Sequence, residues 1–318
     1  MTRRKNNFSG KLSDVDLRLM RVFKTIIECG GLSAAQTELG VGRSTISRQL
    51  SDLEARLGLR LCHRGRSGFY LTQQGRQTIE YIDQLLKSIE DFNSNLASIS
   101  NRMVGKIEIG MIDYTVSDSA NPLVSSIRDF RELAPGVTVN LMSGSPNEVE
   151  RGVIDGRLHL GIVPDYHRHA SLQYTHLYDE SVGLYCGGEH PVALAIANGT
   201  TLTEEEICKH ALVYRGYHES DSLRTRKQRF PMGSSAYQTE AVLALVQSGV
   251  YLGFFPSHCL RSMAGRNYEI LPETFRYSSS ICAIWRADRN HSIVLQDFLE
   301  LLCKQRKQHS TKCTDLRD

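Results

Sequence analysis

The sequence predicts an α+β multidomain protein: an N-terminal winged helix-turn-helix, a long linker/dimerisation helix and a C-terminal two-lobed α/β region. Three observations predict it. Between Leu32 and Gly75, two short helices with apolar faces are joined by a tight turn and followed by a hairpin punctuated by Gly65 and Gly68. From Thr72 an apolar residue recurs every three or four positions over about three heptads. From Lys106 the period changes, and strand-like segments alternate with helix-like ones.

Residues 13–29 carry Leu17, Met20, Val22, Phe23, Ile26 and Ile27 as a helical stripe, with Ser13 as its cap and Gly30-Gly31 ending it. Ser33 is expected to cap a helix of about two turns, with Ala34, Ala35 and Leu39 facing inward and Gly40 closing it. A three-residue turn leads to a second helix near Gly42. Its stripe of Ile46, Leu50, Leu53 and Leu57 runs until Gly58. The opposite face presents Arg43, Ser44, Thr45, Ser47, Arg48 and Gln49 near the N-terminus, the end that a helix-turn-helix pushes into the major groove. A guanidinium can pair bidentately with guanine and a Gln amide with adenine, while hydroxyls reach bases or phosphates. Residues 59–71 read as a two-stranded wing with Arg64 and Arg66 at its tip, placed for phosphate or minor-groove contacts. Taken as a bare pattern, an ordinary helical hairpin with a solvated Ser/Arg face is the alternative.

Charge separates the reading-end hypothesis from that alternative. Of the overall +3, residues 1–66 contribute +7 and residues 67–318 contribute −4. A basic N-terminal part on a mildly acidic body suits nucleic-acid binding through one end. It also opposes an architectural DNA-compacting protein, which needs basic charge throughout.

Thr72 caps the long helix, whose stripe is Ile79, Ile82, Leu86, Ile89, Phe92, Leu96 and Ile99. One small winged domain could scarcely cover so long a stripe, so pairing with a second copy is expected, with packing on its own domain as the alternative.

Beyond it, residues 106–113, 137–142 and 158–163 read as strands, with helices at 117–133 and 146–156 between them. Pro122 implies that the first of these helices begins near Asn121 or is kinked there. After Pro164 the pattern restarts. Strands are expected at 172–177, 181–186, 211–214 and 250–256, and helices at 203–210, with Thr203 capping, and 235–249. Near Glu269–Leu271 the chain is expected to return to the first lobe, adding a strand at 280–285 and a helix at 292–305. The boundaries are 1–71, 72–103 and 104–318, with lobe I at 104–164 and 270–306 and lobe II at 165–269.

In open α/β lobes, ligands lie beyond the carboxyl ends of the strands, where helix N-termini offer N–H groups to an anion. That edge carries Asp113, Tyr114, Thr115 and Ser117, then Ser143 and Ser145, then Asp165. The second lobe adds Arg215, His218 and Thr239. Hydroxyls facing an Arg suit a small carboxylate effector, although Ser and Thr acting as plain helix caps fit each position individually.

The order S-A-A, then S-T-I-S-R-Q-L-x-x-L-E-x-x-L-G-x-x-L-C-x-R, then L-T-x-x-G resembles the winged helix-turn-helix of LysR-type transcriptional regulators. The matching positions include Ala35, Ser47, Leu53, Glu54, Leu57, Gly58, Leu61, Arg64, Leu71, Thr72 and Gly75. Gln36 and Cys62 depart from the family's commonest pattern at packing positions. More weakly, residues 152–163 and 245–256 resemble the family's C-terminal two-lobed α/β effector-binding domain, itself resembling periplasmic binding proteins. The resemblance implies a cytoplasmic, sequence-specific DNA-binding transcriptional regulator controlled by a small molecule. Its partners would be a double-stranded DNA operator, further copies of the chain as homodimer or homotetramer, and RNA polymerase. It implies no cofactor beyond the effector.

Other classes find less support. No run of about 18 apolar residues suggests a membrane span, and MTRRKNNFSG lacks the apolar segment of a secretory signal. An enzyme or solute-binding module tethered to DNA would need a catalytic set or an export signal, and none emerges. The eight cysteines show no metal-ligand spacing. The pair His167 and His169 in a polar loop reads as solvated, so no metal site is expected. A thiol-based redox-sensing regulator is a variant of the leading reading, with Cys186, Cys208 and Cys259 in the second lobe near Lys209, His210 and His258.

Overall fold

The computed structural model describes residues 11–65, 68–99, 103–217, 219–262, 267–270, 272–287 and 291–314. It forms two compact units, Met1–Asn93 and Ser94–Asp318. Among the described residues no helix is long and apolar enough to cross a membrane.

The first unit is α1 (Asp14–Glu28), α2 (Ala35–Leu39), α3 (Arg43–Leu57), a hairpin of β1 (Cys62–Gly65) and β2 (Gly68–Leu71), and the start of α4 (Gln73–Ile99). Ser13 caps α1 in a capping box with Asp16. Phe23, Ile26, Ile46, Leu50, Leu53 and Leu61 are buried at its core. The second helix differs from expectation. Ala34, not Ser33, is its N-cap and makes no side-chain cap bond, Ala34 is exposed, and only Ala35 is buried. In so short a helix Ala35 and the half-buried Leu39 face the core as expected, and Ala34 falls outside the stripe. Gly40 then turns the chain with φ +64°, a left-handed conformation that favours glycine. Thr72 bonds the Gly75 N–H at the start of α4, and a Cβ on Gly75 would lie 1.9 Å from the Leu61 carbonyl oxygen. The wing and α4 therefore meet backbone to backbone.

The stripe of α4 divides. Ile82 and Leu86 are buried in the core of their own unit, with Ile79 and Leu85 packed against it, and Lys24 pairs with Asp83 at 2.7 Å. Phe92 and Leu96 are exposed. The winged unit thus covers more of this helix than the length of the stripe suggests.

The second unit contains β3 (Val104–Met111), α5 (Leu123–Leu133), β4 (Gly136–Ser143), α6 (Pro146–Ile154), β5 (Leu160–Pro164) and β6 (Leu172–Gly187). It continues with α7 (Pro191–Ala197), α8 (Glu204–Ile207), β7 (Leu212–Arg215), α9 (Asp221–Lys227), β8 (Met232–Ala236), α10 (Thr239–Gln247) and β9 (Leu252–Pro256). The chain ends with β10 (Asn267–Ile270), β11 (Tyr277–Arg286) and α11 (Ile293–Thr314). One mixed sheet runs β4-β3-β5-β11-β6-β9-β7-β8, with β10 beside β6. Its first core lies around Phe130, Leu160, Ile162, Ile281 and Phe298, and its second around Leu184, Leu212, Phe254 and Ile270.

Several elements differ from the sequence reading. The helix expected at 117–133 starts only at Leu123, because Pro122 takes the N-cap position and Thr115–Ser117 form a separate 3-10 turn. The two strands expected at 172–177 and 181–186 are one, β6, in which Asp179, Glu180 and Ser181 pair regularly with Ser280, Ser279 and Ser278 of β11 and the register shifts only between Ile281 and Cys282. The N-terminal part of β6 pairs with β11 beside β5, and its end pairs with β9 and β10. The crossing between lobes therefore lies within β6 and β11, not after Pro164 and near residue 270. Helices α7 and α9 go beyond the sequence reading, α8 is a single turn, and the helix expected from residue 235 starts at Thr239 because β8 extends to Ala236.

Candidate nucleic-acid interface and interlobe cleft

At the start of α3, Arg43, Ser44 and Arg48 are exposed and Thr45 is half-buried. Among the described residues neither Arg43 nor Arg48 has a hydrogen bond or ion pair to its guanidinium, so both are uncommitted donors. Arg48→Ala is expected to cost about 1–3 kcal/mol on a specific site and to relax preference at one position. Equal loss on specific and random DNA in a binding titration would remove Arg48 from the base-reading set.

Three other expected contacts look inward or elsewhere. The Arg64 guanidinium turns away from the wing tip and onto α3, donating to the Ser47 carbonyl at 2.9 Å, to the Ser47 and Ser51 hydroxyls, and to Glu54. Ser47 is thereby engaged within the fold. Glu54 also accepts from the Leu61 and Cys62 N–H groups, at 2.8 and 3.3 Å. Its carboxylate gathers Arg64 because the wing's own backbone donors already hold it there. Gln49 is half-buried with its side-chain oxygen enclosed and without a partner among the described residues, so it does not face outward as expected. Arg66 lies outside the described residues.

In the second unit the carboxyl ends of β3, β5 and β7 converge with the start of α10 on a cavity of about 30 Å³, space for a water or two. Of the residues expected at the ligand edge, Asp113, Arg215 and Thr239 line it. Arg215 donates to the Thr239 hydroxyl at 3.3 Å and lies over the Tyr217 ring, 5.8 Å from its centroid. Burial works against its charge, but Tyr217, Asp113, Tyr166 and Glu219 raise its pKa further. Asp113 reaches across from the first lobe: it accepts from the Thr239 and Glu240 N–H groups and, at 3.0 Å, from the Thr239 hydroxyl. The free N-terminus of α10 thus holds the chain's own carboxylate.

The other residues expected at the cleft lie elsewhere or are engaged locally. Thr115 is fully buried, with its hydroxyl donating to the Ile112 carbonyl. Ser145 caps α6 in a capping box with Glu148, Ser143 is exposed away from the cavity, and Asp165 pairs with Arg168 at 2.7 Å. Tyr114 takes φ +61° and packs against the second lobe's Val213–Phe255 cluster rather than lining the cavity. Ser117 bonds His258. For Thr115 and Ser145 the plain local role was the right one. His218 lies outside the described residues.

The sequence reading missed most of the lining: Tyr166, Tyr217, Glu219, Tyr237 and Tyr277 among others. Burial raises the pKa of Tyr166, Tyr217 and Tyr277, so these phenols stay neutral donors. Glu219 is taken by Lys227 at 2.6 Å, whose pKa burial pulls down to about 8 against the attraction of that carboxylate. A clustering of tyrosines in loops after strands was the only available signal. The thiols go the other way from a redox switch. Burial pushes Cys186 up to about 11 and Cys259 up to about 12, and raises Cys208 as well. His258 beside Cys259 is engaged at both ring nitrogens, Nε2 by Glu180 and Nδ1 by the Ser117 hydroxyl.

A winged helix-turn-helix with uncommitted arginines at the start of α3 and a two-lobed α/β unit with a polar crevice around Arg215 define a ligand-responsive DNA-binding regulator. The chain belongs to the LysR family. The model of the bacterial regulatory helix-turn-helix protein, lysR family, matches residues 17–76, and that of the LysR substrate binding domain matches residues 100–306. The HTH-type transcriptional activator BauR of Pseudomonas aeruginosa is 36% identical over 302 residues, covering 94% of this chain and 98% of the relative. Among solved structures, CbnR, a LysR family transcriptional regulator, aligns with a TM-score of 0.66 at 19% identity over 91% of this chain and 99% of its own. A full-length OxyR variant from Pseudomonas aeruginosa gives 0.60 at 16% identity over 93% and 95%. At these identities the likeness is one of fold.

Proposed function

We propose that this LysR-family transcriptional regulator binds a small carboxylate between its two C-terminal lobes and that the carboxylate displaces Asp113. The supporting observation is Arg215: a guanidinium at the cavity with no carboxylate within ion-pair distance among the described residues. Its neutral neighbours Thr239, Tyr166 and Tyr217 can complete a polar shell. The cavity of about 30 Å³ is tight for such a ligand, so binding is expected to part the lobes. An effector shifts the balance between closed and open states only by its differential affinity for them. Breaking Asp113 from α10 while occupying Arg215 supplies that difference. The test is a thermal-shift screen of the full chain with short mono- and dicarboxylates. At least one should stabilise the parent, and Arg215→Ala should weaken its binding by about thirtyfold, the loss of one charge-assisted contact worth about 2 kcal/mol. Equal stabilisation of parent and variant would remove Arg215 from the site.

By the same proposal the chain acts on DNA through α3, in the cytoplasm, and carries out no catalytic step. The relative CbnR has been crystallised with its target DNA, and by the same reading this chain binds an operator as an oligomer. Its exposed Phe92 and Leu96 are the part of α4 left for a second copy. Ile82, only 2% exposed within its own unit, belongs to the core instead. Phe92→Asp is therefore expected to shift the chain toward a smaller species in sedimentation velocity while the winged unit stays folded. An unchanged sedimentation coefficient would place the oligomer contact elsewhere.

A further inference from the structure

Beside the cavity, three ligating side chains meet from three parts of the second unit. Asp118 follows the 3-10 turn of the first lobe, Glu180 stands on the crossing strand β6, and His258 follows β9 in the second lobe. Nε2 of His258 lies 2.8 Å from a Glu180 oxygen and 3.8 Å from an Asp118 oxygen, and one ligand atom of each lies within 4.8 Å of the others. All three side chains are at least five-sixths buried. The other imidazole nitrogen, Nδ1, is 2.7 Å from the Ser117 hydroxyl, which is itself 2.9 Å from the Tyr114 carbonyl. A carbonyl can only accept, so the network assigns the hydroxyl proton to that carbonyl and the Nδ1 proton to the hydroxyl. Nε2 is left facing two carboxylates, an arrangement that calls for a positive charge between them.

A second observation points to the same place. The Tyr178 hydroxyl is buried without a hydrogen-bond partner among the described residues. Tyr178 stands two residues before Glu180 on the same buried face of β6, and its charged neighbours are Glu180 and Asp118. A buried phenol left unsatisfied beside two carboxylates is a polar group waiting for a partner.

We propose that Asp118, Glu180 and His258 form a site for one divalent transition cation, zinc in the first instance, that ties the two lobes together at their crossing strand. One imidazole and two carboxylates are a fitting donor set for zinc, with the fourth position left to water or to the Tyr178 hydroxyl. Ligands around a tetrahedral ion stand about 3.3 Å apart for bonds of about 2.0 Å, so the observed separations need shifts of an ångström or so and no change of fold. The Nδ1 bond to Ser117 would hold the ring as outer partners of metal-bound histidines do. The sequence alone suggested no such site, since its ligands lie at 118, 180 and 258 with no motif spacing.

The test uses the full chain, stripped with a chelator and kept reduced, and titrated calorimetrically with zinc chloride. One zinc per chain should bind, and His258→Ala and Asp118→Asn should each weaken it at least tenfold. Asp118→Asn keeps the side-chain shape, so the test survives if His258→Ala does not fold. The double variant of His167 and His169 to Ala, in the exposed loop, should bind as the parent does. Cobalt in place of zinc should show weak visible bands without the strong near-ultraviolet thiolate absorption, which separates this site from the cysteines. No stoichiometric uptake, uptake that both site variants retain, loss in the loop variant, or a thiolate band would each overturn the proposal.

Discussion

Glu54→Ala should destabilise the winged unit by about 3 kcal/mol, more than any change on its DNA-facing surface. Removing one member of a buried ion pair costs about 3–5 kcal/mol, and the residual exposure of Arg64 and Glu54, 23% and 16%, moves the expectation to the lower end. Two further losses come with it. The N–H groups of Leu61 and Cys62 lose their acceptor, and both residues are fully buried. The wing would no longer be held to α3, so affinity should fall alike on specific and random DNA. Arg64→Ala should cost less, because Glu54 keeps both backbone donors. Hydrogen exchange of the α1–α3 amides in the full chain measures the ranking. If Arg64→Ala leaves protection intact but weakens DNA binding, Arg64 is a phosphate contact after all.

The second large effect is acid sensitivity centred on His190. This residue is 1% exposed, caps α7 by accepting from the Val192 N–H at 3.1 Å, and lies 4.8 Å from His210 ring to ring. Only a neutral imidazole can accept at that nitrogen. Burial, and then the neighbouring His210, pull its pKa from 6.5 down to about 4. His210 is lowered too, by burial. Between those two pH values the unfolded chain holds a proton that the folded chain does not, so acidification favours unfolding. The stability from His190 is complete above pH 6.5 and declines to about pH 4. At about 1.4 kcal/mol per pH unit the loss is about 3 kcal/mol. His190→Asn keeps an acceptor for the cap but removes the titration, so its thermal midpoint should fall less between pH 7 and 4.5 than the parent's. Parallel pH profiles would assign the acid sensitivity to other groups.

The parts of this fold most legible in the sequence are the local ones. The stripes of α1 and α3, the stop at Gly58 and the exposed Arg43, Ser44 and Arg48 follow from a period of 3.6 residues and from capping chemistry, both contained within a few turns of chain. The matched positions Ser47, Glu54, Leu61, Arg64, Thr72 and Gly75 were read as a signature. They proved to be mutual neighbours that hold the wing and α4 to α3. Ser145 illustrates the converse: its capping box with Glu148 was available locally, and the cleft role proposed for it was not needed.

The sequence by itself determined the family, a helix that exposes Arg43 and Arg48, the order of strands and helices in the first lobe, and Arg215 as a residue lining the cleft. Only the tertiary structure decided which way Arg64 turns, how α4 divides its apolar face, and which side chains share a cavity. Tyr166, Tyr217 and Tyr277 are brought together by strand ends far apart in sequence, as Asp113 is brought to α10. Periodicity says which face of an element is apolar; it does not say which distant element will cover that face or supply a charge with its partner.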